Sequence, residues 1–512
     1  MPDRSGDTMP LSPLRFRLLV ASLLTVSFLG ALDNTVVTTA LATVAGQLGA
    51  LEQMGWIVVG YTLASTVLLP VLGRLGDRIG PRAVFLASLA VFILASVGCG
   101  FARDFGWLIA ARVVQGMSSA GLQLMSQTIV AKTTTPIQRP KYLAIIGAAF
   151  PIAILIGPVL GGLITDYWGW PWVFWVNVPV GLMALAFAII AVPHLEPGEA
   201  ERFDIAGSVA LTIALVAVVL AVTWMGSRGP GSILALTAGI LALVVFFVVE
   251  LRTPAPIVPL RLFADRTIAA GTVVSAIVGV GLFSITAYLP TYFQMAYRTS
   301  ATVSGLVPIA TVFGMLVANL ATGWLVSRTG HYRPYPIAGT AIGAAGLAVM
   351  ALLPGGLPLW VPMTVMAVVG LGTGAFMSLI VAVVQSAAPT RDTGTITATV
   401  NLVRQVGSTV ATAIIGALIG LGVAALLPGG LDAATLTPAV AHAAAPELQA
   451  QVAEIYHRVF APIFAGLAVT YAIGVVAAAL LPNRRLSDHP DPTMGGAVAV
   501  AVAVAVPEPE AA

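Results

Sequence analysis

Charge is scarce in this sequence: 24 Lys+Arg and 21 Asp+Glu make up only 9% of its 512 residues. Soluble domains carry roughly 25%, so a water-soluble domain of this length is excluded. Cysteine occurs once, at Cys99 in an apolar run, which rules out an intrachain disulfide and leaves the redox compartment unmarked. Lysine occurs twice, at Lys132 and Lys141, and neither follows a glycine. The chain therefore has no G-x-x-x-x-G-K-[ST] loop, which disfavours an ATP-driven machine. The five histidines, His194, His331, His442, His457 and His489, fall in loops or at the ends of apolar runs, so none is placed to relay protons inside one. No nucleophile, metal cluster or cofactor motif is legible. No enzyme chemistry, cofactor, metal or nucleic-acid partner is expected.

What the chain has instead is hydrocarbon: 58% of residues are hydrophobic and the mean hydropathy is +0.98. Apolar stretches of about 20 residues, the length a helix needs to cross a bilayer core, recur from end to end. The fold class expected is an all-α polytopic membrane protein. Breaking the chain at Gly, Pro and charge clusters gives fourteen transmembrane helices. They lie near 16–40, 54–74, 82–101, 106–131, 141–165, 172–193, 205–225, 231–251, 268–294, 302–326, 335–353, 358–385, 396–426 and 458–481. The first is too long for a cleaved leader and reads as an uncleaved signal anchor.

Cations orient the spans. With the N-terminus inside, the cytoplasmic side collects Arg4, Arg15, Arg17, Arg74, Arg78, Arg82, both lysines and ten further arginines. Only Arg103, Arg228, Arg298 and Arg458 fall outside. That bias predicts cytoplasmic N- and C-termini in the cell membrane and an even number of spans. The loop near 427–457 is Ala-rich, with a short amphipathic helix expected around Pro446–Arg458. The tail "GGAVAVAVAVAVPEPEAA" is low-complexity and is expected to be disordered.

A repeat emerges when the loops are aligned. Gly73-Arg-Leu75-Gly-Asp77-Arg78-Ile-Gly80 and Gly323-Trp-Leu325-Val-Ser327-Arg328-Thr-Gly330 share the pattern G-x-L-x-[DS]-R-x-G, 250 residues apart. Two six-helix bundles with two inserted central helices would produce that offset. The expected organisation is a tail at 1–15, a bundle at 16–193, a linker at 194–267 holding helices seven and eight, a bundle at 268–482 and a tail at 483–512.

Several motifs now stand together: L-D-x-T-V-V from Leu32 to Val37, the loop from Gly73 to Arg82, R-x-x-Q-G at Arg112, Gln115 and Gly116, G-P-x-x-G-G at Gly157, Pro158, Gly161 and Gly162, and N-V-P-V-G from Asn177 to Gly181. Tyr288-Leu-Pro290-x-Tyr292-x-Gln294 and Arg404-Gln405-x-Gly407 join them in the second half. With these the chain, over about residues 16–482, resembles the fourteen-span drug:proton antiporter branch of the major facilitator superfamily. The resemblance implies a monomeric secondary transporter of the multidrug-efflux type that exchanges hydrophobic, cationic or neutral compounds for protons and can confer antibiotic resistance. The same fold could carry an endogenous metabolite, lipid or amino acid, or serve as a non-transporting receptor or scaffold. The sequence departs from the branch pattern at Thr38, Ala42, Pro81, Ala153 and Pro171. Thr38 and Ala42 are where its substrate preference is expected to differ.

Asp33 is the acidic residue placed well inside a span. A charge there costs roughly 2.5–3.5 kcal/mol even on lenient scales, so it should face a cavity or a partner. Burial favours its protonation and a nearby Arg opposes it, so a site alternating between the two could bind and release a proton. As a purely structural group it would be hydrogen-bond glue to Thr35 or a neighbouring helix. Arg112, Gln115 and Ser119 lie at i, i+3 and i+7 on one helix face. Arg112 is expected to partner Asp33 or a backbone carbonyl, or to snorkel, and the resemblance implies a role in proton transfer. Gly157 and Gly161 have small-residue spacing for close helix packing, with Pro158 permitting a bend and Gly162 adjoining them. Gly73, Asp77, Arg78 and Gly80 are expected to latch the bundles, Asp77 by pairing with an Arg or capping a helix start; Ser327 at the second copy leaves the charged latch on one half. Thr38, Gln115, Ser119, Tyr288, Tyr292 and Gln294, with Trp56, Tyr61 and Phe293, are the candidates for a substrate path, whose aromatic faces suit flat or cationic hydrophobes.

Overall fold

The computed structural model describes residues 12–195, 204–224, 230–253, 256, 258, 260–427 and 438–486. Most of the tails expected at 1–15 and 483–512, and residues 428–437 of the loop expected at 427–457, lie outside the described residues, as do Arg4, Arg202, Arg228 and His489. Among the described residues the regular structure is helical, apart from one bridge between His331 and Arg485. Its principal helices are α1 Pro13–Gln47, α2 Trp56–Ile79, α3 Pro81–Gly100, α4 Phe105–Thr133, α5 Arg139–Trp168, α6 Pro171–Ala191 and α7 Ile205–Trp224. They continue as α8 Pro230–Arg252, α9 Arg266–Thr286, α10 Ala301–Thr329, α11 Pro334–Leu352, α12 Trp360–Ala387, α13 Thr393–Leu426 and α14 Pro446–Ala479.

Local chemistry sets the ends. Asp104 accepts a hydrogen bond from Trp107 N at 2.8 Å and caps α4, and Asp265 accepts from Thr267 N and Ile268 N at 2.7 and 3.1 Å to start α9. Gly80 and Gly330 have φ of 93° and 71°, a region that favours glycine, and they end α2 and α10 at the same place in the sequence repeat. Pro81 and Pro334 then open the next helices, where a missing N–H costs nothing.

Among the described residues twelve helices are long and apolar enough to cross a membrane. The fourteen spans expected from sequence include two that fall short by that measure. The first is α4, where Arg112, three glutamines and three serines dilute the apolar residues. The second is α7, whose apolar stretch, Ile205–Ala221, is shorter.

The packing repeats with the sequence. In the first part of the chain α1 packs with α5 and α6, α2 with α4, and α3 with α4 and α6. Eight helices later the same scheme recurs: α9 packs with α13 and α14, α10 with α12, and α11 with α12 and α14. Two crossed seams join these sets, α2 against α13 and α5 against α10. The inserted pair, α7 and α8, pack on each other, with α7 resting on α2. A duplicated helical pattern buries equivalent stripes at equivalent positions, which is why the pairing scheme is copied.

Candidate functional site

Asp33 lies in α1, 1% exposed, and its carboxylate is held by three side-chain donors. Arg112 Nη1 donates to Oδ2 at 2.5 Å, while Gln115 Nε2 and Asn177 Nδ2 donate to Oδ1 at 2.9 and 2.8 Å. Arg112 itself donates from Nε to the Ile57 carbonyl at 3.1 Å and from Nη1 to Gln115 Oε1 at 2.8 Å. It therefore meets both partners considered from sequence, the carboxylate and a backbone carbonyl. Gln115 also donates to Ser96 Oγ at 2.8 Å. The guanidinium lies 4.2 Å from the Tyr61 ring centroid and 5.8 Å from that of Phe174. Away from water, such a pair persists because both charges are hydrogen-bonded, and removing one partner of a buried pair typically costs about 3–5 kcal/mol. Gly116 completes the motif sterically: a Cβ there would sit 2.2 Å from the Tyr61 carbonyl, so only glycine lets α4 approach α2 this closely.

Tyr61 separates this cluster from a cavity of about 690 Å³ between the two sets of helices. Its hydroxyl donates to Ser119 Oγ at 2.6 Å, and both residues line the cavity. Asp33, Arg112 and Gln115 do not line it. The cavity wall comes from α1, α2, α4, α5, α7, α12 and α13 together with Tyr288, and its polar groups include Asn34, Gln123, Gln127 and Gln405. Among the described residues Arg404, from α13, is the charged residue in that wall.

Other residues expected on a substrate path are placed elsewhere. Thr38 is on an exposed part of α1 and donates to its own helix at the Thr35 carbonyl, 2.6 Å away. Tyr292 is buried with its ring 4.7 Å from that of Phe460, and Phe293 is in the same core. Gln294 accepts from His442 Nε2 through its backbone carbonyl, if that nitrogen carries the proton. Trp56 also does not line the cavity. α9 ends at Thr286 after a π turn at Gly279–Phe283, and Tyr288 caps the helix that restarts at Leu289, its carbonyl accepting from Tyr292 N at 2.9 Å. The two tyrosines meet different surroundings: the Tyr288 hydroxyl donates to the Thr412 carbonyl in the cavity wall, whereas Tyr292 packs on Phe460.

The glycines of α5 divide. A Cβ at Gly157 would meet Thr35 Oγ1 at 2.2 Å and one at Gly161 would meet Thr39 Oγ1 at 2.1 Å, so both face α1. Gly162 faces open space, with nothing within 4 Å, which removes it from the packing surface. Pro158 is accommodated inside the α-helix.

At the end of α2, Asp77 caps the first turn of α13. Gly394 N donates to its Oδ1 at 2.9 Å, and Thr395 N and Oγ1 donate to its Oδ2 at 2.7 and 2.8 Å. Gly73 permits the contact, since a Cβ there would be 2.6 Å from the Ala398 Cβ. Arg74 adds a bridge to Asp392 at 3.8 Å, whereas Arg78 is exposed. At the second copy, Gly323 abuts α5, but the Ser327 hydroxyl donates back to the Trp324 carbonyl of its own helix. Asn319 instead reaches α5, donating to the Ala144 carbonyl at 2.9 Å.

Sequence reasoning missed Asn177 as a holder of Asp33, Tyr61 as the partition between cluster and cavity, and Arg404 as a cavity charge. Asn177 and Arg404 each stand as a polar residue inside an apolar run, the same signal that exposed Asp33.

Membrane-length helices in two matching sets, with a cavity of mixed apolar and polar lining between them, define a membrane transporter. Residues 23–412 match the family model described as Major Facilitator Superfamily, and the chain belongs to that family. It is 32% identical over 499 residues to an uncharacterized MFS-type transporter of Mycobacterium tuberculosis, covering 95% of this chain and 72% of the relative. It is 31% identical over 405 residues to the multidrug transporter protein MdtP of Bacillus subtilis, covering 78% of this chain and 75% of the relative. Among solved structures, the proton:xylose symporter XylE superposes with a TM-score of 0.59 at 14% identity, covering 92% of this chain and 98% of that one. The human organic anion transporter MFSD10 superposes with a TM-score of 0.57 at 15% identity, covering 90% and 99%. At those identities the two structures share the fold.

Proposed function

We propose that this protein is a monomeric, fourteen-span secondary transporter that exports hydrophobic compounds from the cell in exchange for protons. The observation that carries the reading is the enclosed carboxylate of Asp33, one tyrosine away from the cavity between two helix sets. Residues 16–193 and 268–482 act as the rocking units, with 194–267 inserted between them. Asp33 and Arg112 form the proton-coupling pair: protonation of Asp33 would release Arg112 and loosen the hold of α4 and α6 on α1. Tyr61 and Ser119 would transmit that change to the cavity wall. With both termini cytoplasmic, as the positive loops favour, the Asp77 latch closes the cytoplasmic end and the state described is outward-facing. The name of the Bacillus subtilis relative supports a drug-type cargo. A second reading, export of an endogenous metabolite, is favoured by a 31%-identical relative named as the acurin A biosynthesis cluster MFS-type transporter of Aspergillus aculeatus.

A carboxylate at this depth could also anchor a lipophilic cation. Its enclosure behind Tyr61 argues against that role in this state. The test is reconstituted vesicles with an imposed pH gradient and a panel of hydrophobic dyes. Wild type should drive efflux, and Asp33→Asn should lose gradient-driven efflux while retaining substrate exchange without a gradient. Gradient-driven efflux that survives Asp33→Asn sinks the mechanism.

A further inference from the structure

We infer that the cavity selects compounds carrying a carboxylate-type anionic group, and that Arg404 is the residue that binds it. The inference rests on reading the cavity as the substrate site. Arg404 lies about three turns into α13, well inside a span, where an unneutralised cation is costly. The other intramembrane cation, Arg112, has Asp33 at 2.5 Å. Arg404 has no such partner: among the described residues its one hydrogen-bond partner is the side-chain oxygen of Asn401, on its own helix. It is partly exposed and lines the cavity.

No carboxylate lines the cavity among the described residues. The polar groups around Arg404 there are neutral: amides at Asn34, Gln123, Gln127 and Gln405, with hydroxyls at Ser408 and Thr409. The cavity is therefore a space of net positive character between low-dielectric walls, which attracts anions and repels cations. Guanidinium geometry suits a carboxylate in particular, because its fork of N–H donors matches two carboxylate oxygens. The apolar part of such a compound would lie against Val26, Ile146, Phe150 and Val381. Approximately 690 Å³ is room for a drug-sized molecule. This geometry also revises the cationic preference expected from sequence.

The test is equilibrium binding to the full-length protein in detergent, read by fluorescence anisotropy with three matched probes: pyrenebutyrate, its primary amide and pyrenebutylamine. They share one apolar body and carry charges of −1, 0 and +1. The expected order is carboxylate tightest and ammonium weakest, with the carboxylate favoured over the amide by about 10- to 100-fold, as for a charge-assisted hydrogen bond. Arg404→Gln should remove that preference while leaving amide binding unchanged, and Arg404→Lys should restore part of it. Arg404→Gln discards an intramembrane charge that has no carboxylate partner, so it should not lower the melting temperature; the wild-type order of the three probes stands as a test without it. A carboxylate that binds no tighter than the amide, or an Arg404→Gln change that weakens all three alike, overturns this inference and leaves the exporter reading standing. Binding by none of the three overturns the substrate site itself. Loss of proton-driven efflux in Asp33→Asn with the binding order intact separates coupling from recognition.

Discussion

Asp33 takes its three donors from two helices, Arg112 and Gln115 on α4 and Asn177 on α6. The helical spacing of Arg112, Gln115 and Ser119 was readable because i, i+3 and i+7 share a face whatever the tertiary structure. That stripe faces two compartments: Gln115 belongs to the enclosed cluster and Ser119 to the cavity wall. Asn177 is 144 residues from Asp33 in sequence, and no local pattern links them. Replacing Asn177 with Ala leaves Asp33 Oδ1 one donor short in a dry site, which should cost about 1–3 kcal/mol. The expected result is a lower melting temperature in detergent. An Asn177→Ala protein that melts like wild type would remove Asn177 from the set holding Asp33.

At the scale of elements, the seam between α1 and α5 depends on side-chain absence. The spacing of Gly157 and Gly161 announced a close contact, but four-residue spacing says only that the two share a face, not what lies opposite. The opposing helix proves to be the one bearing Asp33, so its position is set by these glycines. A Cβ at Gly161 would lie 2.1 Å from Thr39 Oγ1 and 2.8 Å from the Val36 carbonyl, and backbone cannot yield as a side chain can. Gly161→Ala should therefore push α1 away and abolish most vesicle efflux in protein that still inserts. Gly162→Ala meets open space and exchanges glycine for a better helix former. It should retain wild-type efflux and match or exceed wild-type stability. Equal loss in both variants would contradict the seam.

For the whole molecule, the decisive contact is the Asp77 carboxylate at the N-terminus of α13, where exposed N–H groups and the helix dipole favour a negative charge. It joins residues 317 and 318 positions apart and ties the end of α2 to the start of α13. Removing such a cap typically costs about 0.5–2 kcal/mol, so Asp77→Ala should shift the ratio of closed to open at this end by roughly 2- to 30-fold. Spin-label distances between the adjoining ends of α2 and α13 should show a longer population; an unchanged distance distribution would show that Asp77 does not hold the two sets together. The sequence alone determined that this chain lives in a membrane, where its helices lie, and that it is built from a duplicated unit. Those properties follow from hydropathy, length and repeat spacing, all of which are local or periodic. It also marked Asp33, because a carboxylate in hydrocarbon demands explanation wherever the chain goes. Only the tertiary structure decided that Asp33 is enclosed behind Tyr61, that Tyr292 turns into a core, and that Arg404 faces the cavity with no carboxylate beside it. Each depends on which face of one helix meets another distant in sequence, and periodicity defines a face without naming its partner.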